Sequence, residues 1–297
     1  MNHKTTKRLA ISTYVLFASA MLFFAPYANA DDEVSLTGKN LQDLMEYSSN
    51  NIKTDSVYEI IGLTQQDLNP ALQTSLIRQA IQDSPHDILY LPDVYEITPT
   101  TAKTIASFPG SQISLPHLQT VSAQVAKQLA VYKGAFLFNA ISQITPTLAT
   151  RLITFKADAM FLGGVQSISP QTAAILAGWS GEILILDGIA TLSPSTANNL
   201  ANFKGLSISL SGVKKLTPST AANLARLQSK NLLLNGIQSL TPSTAGNLSK
   251  YQGENISLLG LQSITASAAA NLVKFKGTIK VAEPAVLKTL KKHGYKK

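Results

Sequence analysis

Short stretches in which every second residue is aliphatic recur along the chain: EILILDGI from Glu182, LSISLSGV from Leu206, NLLLNGI from Asn231 and NISLLGL from Asn255. In these, Leu184 with Leu186, Ile208 with Leu210, Leu232 with Leu234, and Ile256 with Leu258 fall on one face, which is the period of a β-strand. Gly188, Gly212, Gly236 and Gly260 follow and predict a turn out of each strand. Between these stretches the apolar spacing changes from two to three. Ala102, Ala126, Ala149, Ala173, Ala197, Ala221, Ala245 and Ala269 each stand three residues before an Ile or Leu, and an aromatic residue or Leu227 follows three further on. Spacing by three runs along one side of a helix.

The phrase that opens each helical stretch repeats almost verbatim, as LSPSTANNLA from Leu192, LTPSTAANLA from Leu216 and LTPSTAGNLS from Leu240. Eight units begin at Ile97, Val121, Ile144, Ile168, Leu192, Leu216, Leu240 and Ile264, with one step of 23 residues and the rest of 24. A Ser or Thr stands second in every unit, and Pro follows in six of them. A hydroxyl side chain can accept an orphan amide at a helix start, and proline at the first helical position gives up no hydrogen bond there. Gly110, Gly134, Gly181, Gly205, Gly253 and Gly277 come after the aromatic position, where a left-handed helix ending is cheap, so helices of about three turns are expected. A strand-turn-helix unit cannot bury its apolar face alone; such units stack into a parallel sheet backed by helices.

These residues resemble a leucine-rich repeat: the Leu-x-Leu-x-Gly strand and turn, followed by a helix reading (Leu/Ile)-(Ser/Thr)-Pro-x-x-Ala-x-x-Leu, a bacterial variant. The likeness covers about Ile97 to Val281, with a related half unit in DILYLPDVYE from Asp87. It departs from the usual pattern at the buried asparagine ladder, whose place is taken by glycine or apolar residues. The resemblance implies an α/β solenoid, a horseshoe with strands lining one face and short helices the other, of a kind that mostly binds proteins or glycans.

The ends of the chain read differently. Met1 to Ala30 has basic Lys4, Lys7 and Arg8, an apolar run from Leu9 to about Pro26, and Ala28-Asn29-Ala30 ahead of acidic Asp31 and Asp32. That is the grammar of a cleaved secretory signal peptide, and it predicts an exported protein, periplasmic or secreted. No later stretch is long and apolar enough to span a bilayer. Residues 31–84 are expected to be an acidic helical cap, 85–281 the repeat solenoid, and 282–297 a basic capping helix and tail. Charge follows these divisions. From Asp31 to Glu96, 12 acids face Lys39, Lys53 and Arg78, a balance of −9; from Ile97 onward 19 cations face five acids, a balance of +14. The basic tail can touch an acidic surface or simply keep the end solvated. Nucleic acid is not an expected partner, because no basic run is interleaved with aromatics.

Candidate chemistry is sparse. There is no cysteine, and beyond the leader His86, His117 and His293 are one to a region, so neither a thiol nucleophile nor metal-ligand spacing arises. His86 beside Asp83 and Asp87 is read as a turn ahead of the first strand. The serines of the helix starts already have a capping role and lack a paired histidine. Asp158, Glu182, Asp187 and Glu254 are isolated from one another, which disfavours a paired-carboxylate hydrolase. No cofactor is expected, and the protein reads as non-enzymatic.

What remains is the strand face turned away from the buried leucines. Its middle column aligns Tyr90, Ser114, Leu137, Phe161, Ile185, Ser209, Leu233 and Ser257, flanked by Ile183 and Asn231 on one side and Asp187 and Asn235 on the other. Tyr90, Leu137, Phe161, Ile183, Ile185 and Leu233 are the expected binding residues for a protein partner on an exposed apolar patch. The alternatives are a glycan- or polyanion-binding envelope protein, or a hydrolase with its site in the N-terminal region.

Overall fold

The computed structural model describes residues 70–83, 88–91 and 94–296. The expected signal peptide, most of the acidic cap, and His86 with Asp87 lie outside the described residues. Helix α1, Pro70–Asp83, comes first. Nine parallel strands of three residues follow in one sheet whose order is the chain order. They are β1 Ile88–Tyr90, β2 Gln112–Ser114, β3 Ala135–Leu137, β4 Ala159–Phe161, β5 Ile183–Ile185, β6 Ser207–Ser209, β7 Asn231–Leu233, β8 Asn255–Ser257 and β9 Thr278–Lys280. After each strand comes one helix: α2 Pro99–Ile105, α3 Ala123–Leu129, α4 Pro146–Leu152, α5 Pro170–Leu176, α6 Pro194–Leu200, α7 Pro218–Leu224, α8 Pro242–Leu248, α9 Ala266–Leu272 and α10 Pro284–Lys292. The fold is the expected α/β solenoid of stacked strand-turn-helix repeats.

Each helix starts where the hydroxyl predicts. Thr98, Ser122, Thr145, Ser169, Ser193, Thr217, Thr241 and Thr265 sit in extended backbone and accept the amide three residues on. A cap of this kind stabilises a helix by about 1 kcal/mol. The helices are shorter than the sequence pattern implies. Each of α2 to α9 has seven residues, two turns rather than three, because the chain tightens into i→i+3 bonds beyond the last Leu, as in Leu227 N to Leu224 O at 3.0 Å and Phe203 N to Leu200 O at 2.9 Å. The aromatic residue therefore lies past the helix end.

Gly188, Gly212, Gly236 and Gly260 stand in turns, as expected, whereas the glycines after the aromatic position do not end helices in left-handed backbone. Among the described residues only Gly294 has a positive φ. The repeated glycines instead permit close approach between coils. A Cβ on Gly212 would collide with the Asp187 carbonyl oxygen and lie 2.7 Å from that of Ile189.

The core lies between sheet and helices. Leu184, Leu186, Ile208, Leu210, Leu232 and Leu234 from the strands meet Leu176, Leu200, Leu224 and Leu248 from the helices, all at or near zero exposure. Burying one such side chain contributes roughly 1.5–3 kcal/mol. Beyond the helix ends the aromatic spine is tied from coil to coil. Tyr132 donates to Gly110 O at 2.8 Å, Trp179 Nε1 to Phe155 O at 2.9 Å, and Tyr251 to Ser229 O at 2.6 Å, while Trp179 stacks on Phe203 and Tyr251 on Phe275.

An asparagine ladder does exist, on the helix side. Asn199, Asn223, Asn247 and Asn271 each donate to the carbonyl of the first proline of the preceding helix, at 2.7 to 3.1 Å. Each bond joins neighbouring coils, which ties the outer layer to the period of the sheet.

At the C-terminal end α10 buries Val286 and Leu290. Tyr295 returns to the last strand, where its hydroxyl accepts from Ile279 N and donates to Ile279 O, both at 2.8 Å. An edge strand with bare amides and carbonyls is a template for unwanted pairing. Tyr295 satisfies both groups of the central β9 residue, so residues after Val281 are packed onto the solenoid.

Candidate binding face on the outer side of the sheet

Strand pairing places the expected column in one row. Leu137, Phe161, Ile185, Ser209, Leu233 and Ser257 are successive register partners from β3 to β8, and Tyr90 and Ser114 precede them. Lys280 of β9 is the next partner in this row, a cation that the repeat pattern did not bring forward because the last strand lies outside the eight aligned strands. Burial holds the ammonium of Lys280 below its ordinary pKa. Ile183 lies one column over, between Ala159 and Ser207.

The expected open exposure of this face is corrected. Leu137, Ile183, Ile185 and Leu233 are each 5 % exposed or less, and only Tyr90 and Phe161 are half-buried. None of the six belongs to the core cluster, so the face is a second apolar layer. Parallel in-register strands stand about 4.8 Å apart, which sets each side chain between two neighbours. Leu137, Phe161 and Ile185 thus stand beside one another along the row. Alternation along a strand tells which side a residue takes, but it does not report how closely its row is packed.

The C-terminal half of the face is a hydrogen-bonded polar network. Asn255 Nδ2 donates to Asn231 Oδ1 at 2.8 Å, and Asn231 Nδ2 donates to Ser207 Oγ at 2.8 Å. Asn235 Oδ1 accepts from the Ser257 hydroxyl at 2.7 Å and from Leu259 N at 3.2 Å. Two coils earlier Asp187 does the same, accepting from the Ser209 hydroxyl and from Ser211 N. A carboxylate therefore occupies a place that a neutral amide fills elsewhere. Burial pushes the Asp187 carboxyl above its ordinary pKa, and the hydrogen bonds from Ser209 and Ser211 pull the other way without cancelling it.

The sign of the linkage follows from that direction. A carboxyl with a raised folded-state pKa contributes stability that is complete below its unfolded pKa and is lost as pH rises through the folded value. Asp187→Asn is therefore expected to melt higher than the parent at pH 7, with the gap narrowing as pH falls toward about 4 and closed below it. Thermal unfolding by circular dichroism across that range checks it; a variant that melts lower at pH 7 would show that the charge itself holds the network.

At the start of the strands, burial raises the pKa of both Asp158 and Glu182, with Lys133 opposing the shift at Asp158 and Asp158 adding to it at Glu182. Among the described residues no three His, Asp or Glu side chains converge as a metal site would need. No helix among them is long and apolar enough to cross a membrane.

No protein-family model matches the chain, and no curated protein matches it. Solved structures do resemble it. An internalin from Listeria monocytogenes aligns over 73 % of this chain and 72 % of its own at 15 % identity, with a TM-score of 0.40. A chain of the Drosophila Toll–Spatzle complex aligns over 67 % of this chain at 11 % identity and a TM-score of 0.43; the match spans 28 % of that chain's own length. A chain of the yeast Rad7 and Elc1 complex aligns over 89 % of this chain and 91 % of its own at 14 % identity and a TM-score of 0.33.

Proposed function

We propose that this chain is an exported, non-enzymatic scaffold that binds a protein partner through the outer face of its sheet. The observation that carries the reading is the second apolar layer. A solenoid of this kind needs one core, between strands and helices, yet Leu137, Phe161, Ile183, Ile185 and Leu233 put large apolar side chains on the other side of the sheet. Large apolar side chains with no place in the sheet–helix core favour a contact role for the outer face. Phe161 and Tyr90 are its half-buried aromatic members, and aromatic residues at the centre of an interface tend to carry much of its energy. Export rests on the signal-like Met1 to Ala30.

Capture of a partner from envelope and host-cell extracts tests the reading. Phe161→Ser is expected to abolish capture, whereas Lys103→Glu on the helix side changes it little, since remote charges mainly adjust association rate. Ile185 is unsuited to this test, because at 4 % exposure its replacement by serine also disturbs packing. Capture that survives Phe161→Ser and fails with Lys103→Glu would move the site to the helix side.

A further inference from the structure

Many of the solenoid's cations recur along one rim. Each strand starts beside the end of the preceding helix, and backbone bonds knit these starts into a row: Asp158 N to Lys133 O at 2.9 Å, Glu182 N to Asp158 O at 2.8 Å, Ser207 N to Glu182 O at 3.0 Å, and Glu254 N to Lys230 O at 2.7 Å. Exposed Lys133, Lys156, Lys204 and Lys276 recur on this rim directly after the aromatic position, and exposed Arg226, Lys250 and Lys274 directly before it. Among the described residues the acids on it are Asp158, Glu182 and Glu254, the last paired with Lys230 at 3.3 Å. Along the opposite rim, where the helices begin, the charged groups among the described residues are Glu96, Asp187, Lys214, Lys215 and Glu283, set among exposed Ser, Thr, Gln and Pro.

Local structure accounts for only part of this asymmetry. Cations in the last turn of a helix complement its dipole, but the effect fades beyond that turn. Lys156, Lys204 and Lys276 stand four residues past Leu152, Leu200 and Leu272, where their helices end. Lys250 and Lys274 rest on Asn247 and Asn271 of their own helices, and Arg226 on Asn198 of the preceding one. A second feature marks the same rim. Val131, 63 % exposed, is the exposed large hydrophobic residue among the described residues, and it lies two residues before Lys133.

We propose that this rim is a docking edge for an anionic lipid surface. From β3 to β9 the row spans six strand spacings, about 29 Å, on a hydrogen-bonded frame that holds its cations along one edge. Such an edge meets a charged plane along its whole length, and Val131 supplies a shallow apolar contact between headgroups. An acidic glycan or a single-stranded nucleic acid would draw on aromatic stacking, and among the described residues the aromatics of this rim, Tyr132, Phe155, Trp179, Phe203, Tyr251 and Phe275, are all buried. Docking by this edge leaves the outer strand face free for a partner, so the two proposals stand or fall separately.

Flotation of the full chain with phosphatidylcholine vesicles, with and without 30 % phosphatidylglycerol, tests the proposal. The basic leader and the basic C-terminal tail are common to every variant, so the rim is read from the change in the anionic increment relative to the parent chain. Each basic residue near such a surface is worth about fivefold in partition. Changing Lys156, Lys204 and Lys276 to Glu is expected to lower the increment at least about tenfold, whereas the same change at Lys103, Lys214 and Lys215 lowers it less than about threefold. Val131→Ser is expected to lower it a few-fold. Unchanged circular dichroism melts confirm that the exposed substitutions leave the fold intact, and Lys→Gln replacements serve if the reversals do not fold. Equal losses in the two triple variants would reduce the effect to net charge and overturn the proposal, as would wild-type binding without preference for anionic vesicles. Tighter binding to a soluble acidic polysaccharide, with the same dependence on the rim, would assign the edge to a glycan instead.

Discussion

Leu224→Ala is expected to destabilise the solenoid by about 2–5 kcal/mol, the usual cost of truncating a leucine in a core that cannot collapse around the gap. Leu224 closes α7 in a central coil and is fully buried, with Leu232 and Leu234 of the following strand and Leu200 and Leu248 of the flanking helices in the same core. Stacked coils have little freedom to close the cavity, because Asn223 and Asn247 hold adjacent helices at fixed spacing and strand pairing holds the sheet. The loss is read as a lower melting temperature, roughly 2–4 °C per kcal/mol for a chain of this size. Since each coil contacts mainly its neighbours, the damage also weakens the interfaces on either side. An unchanged melting temperature would mean that the helix phase is misassigned.

Gly212→Ala tests close approach between coils. No positive φ is involved, so a purely conformational view predicts a neutral or stabilising change of up to about 1 kcal/mol. The packing predicts the reverse. The added methyl would strike the Asp187 carbonyl oxygen of the coil below, and backbone yields less readily than a flexible side chain. Overpacking of this kind typically costs about 1–3 kcal/mol. Gly246→Ala is the control: its Cβ would find its nearest neighbours 3.7 Å away, in ordinary contact with Asn271. That change within α8 is expected to stabilise the protein by roughly 0.4–1 kcal/mol. Denaturant titration of both variants gives the comparison, and a Gly212→Ala protein as stable as Gly246→Ala would remove close approach as the reason for the repeated glycine.

The period, the helix starts and the side of the sheet taken by each strand residue were legible in the sequence, because all three are local. A Ser or Thr before Pro caps the chain that follows it, as Thr217 does for Thr220, and alternation in a strand sends Leu232 inward and Leu233 outward whatever lies around them. Features that depend on the meeting of coils could not be read in that way. The glycines after the aromatic position, such as Gly134 and Gly277, looked like helix terminators because only the neighbouring coil's carbonyls reveal the close approach. The asparagines of the helices looked like ordinary polar residues because the proline carbonyl that each one meets is 29 positions away in the chain. Leu137, Ile185 and Leu233 were placed on the correct side of the sheet but expected to be exposed, since residue spacing gives direction and only the tertiary structure decides how much solvent reaches the end of that direction. The gathering of Lys133, Lys156, Lys204 and Lys276 on one rim is likewise a property of the stack: the sequence supplies the recurring cation, and the parallel superposition of coils turns that recurrence into a charged edge.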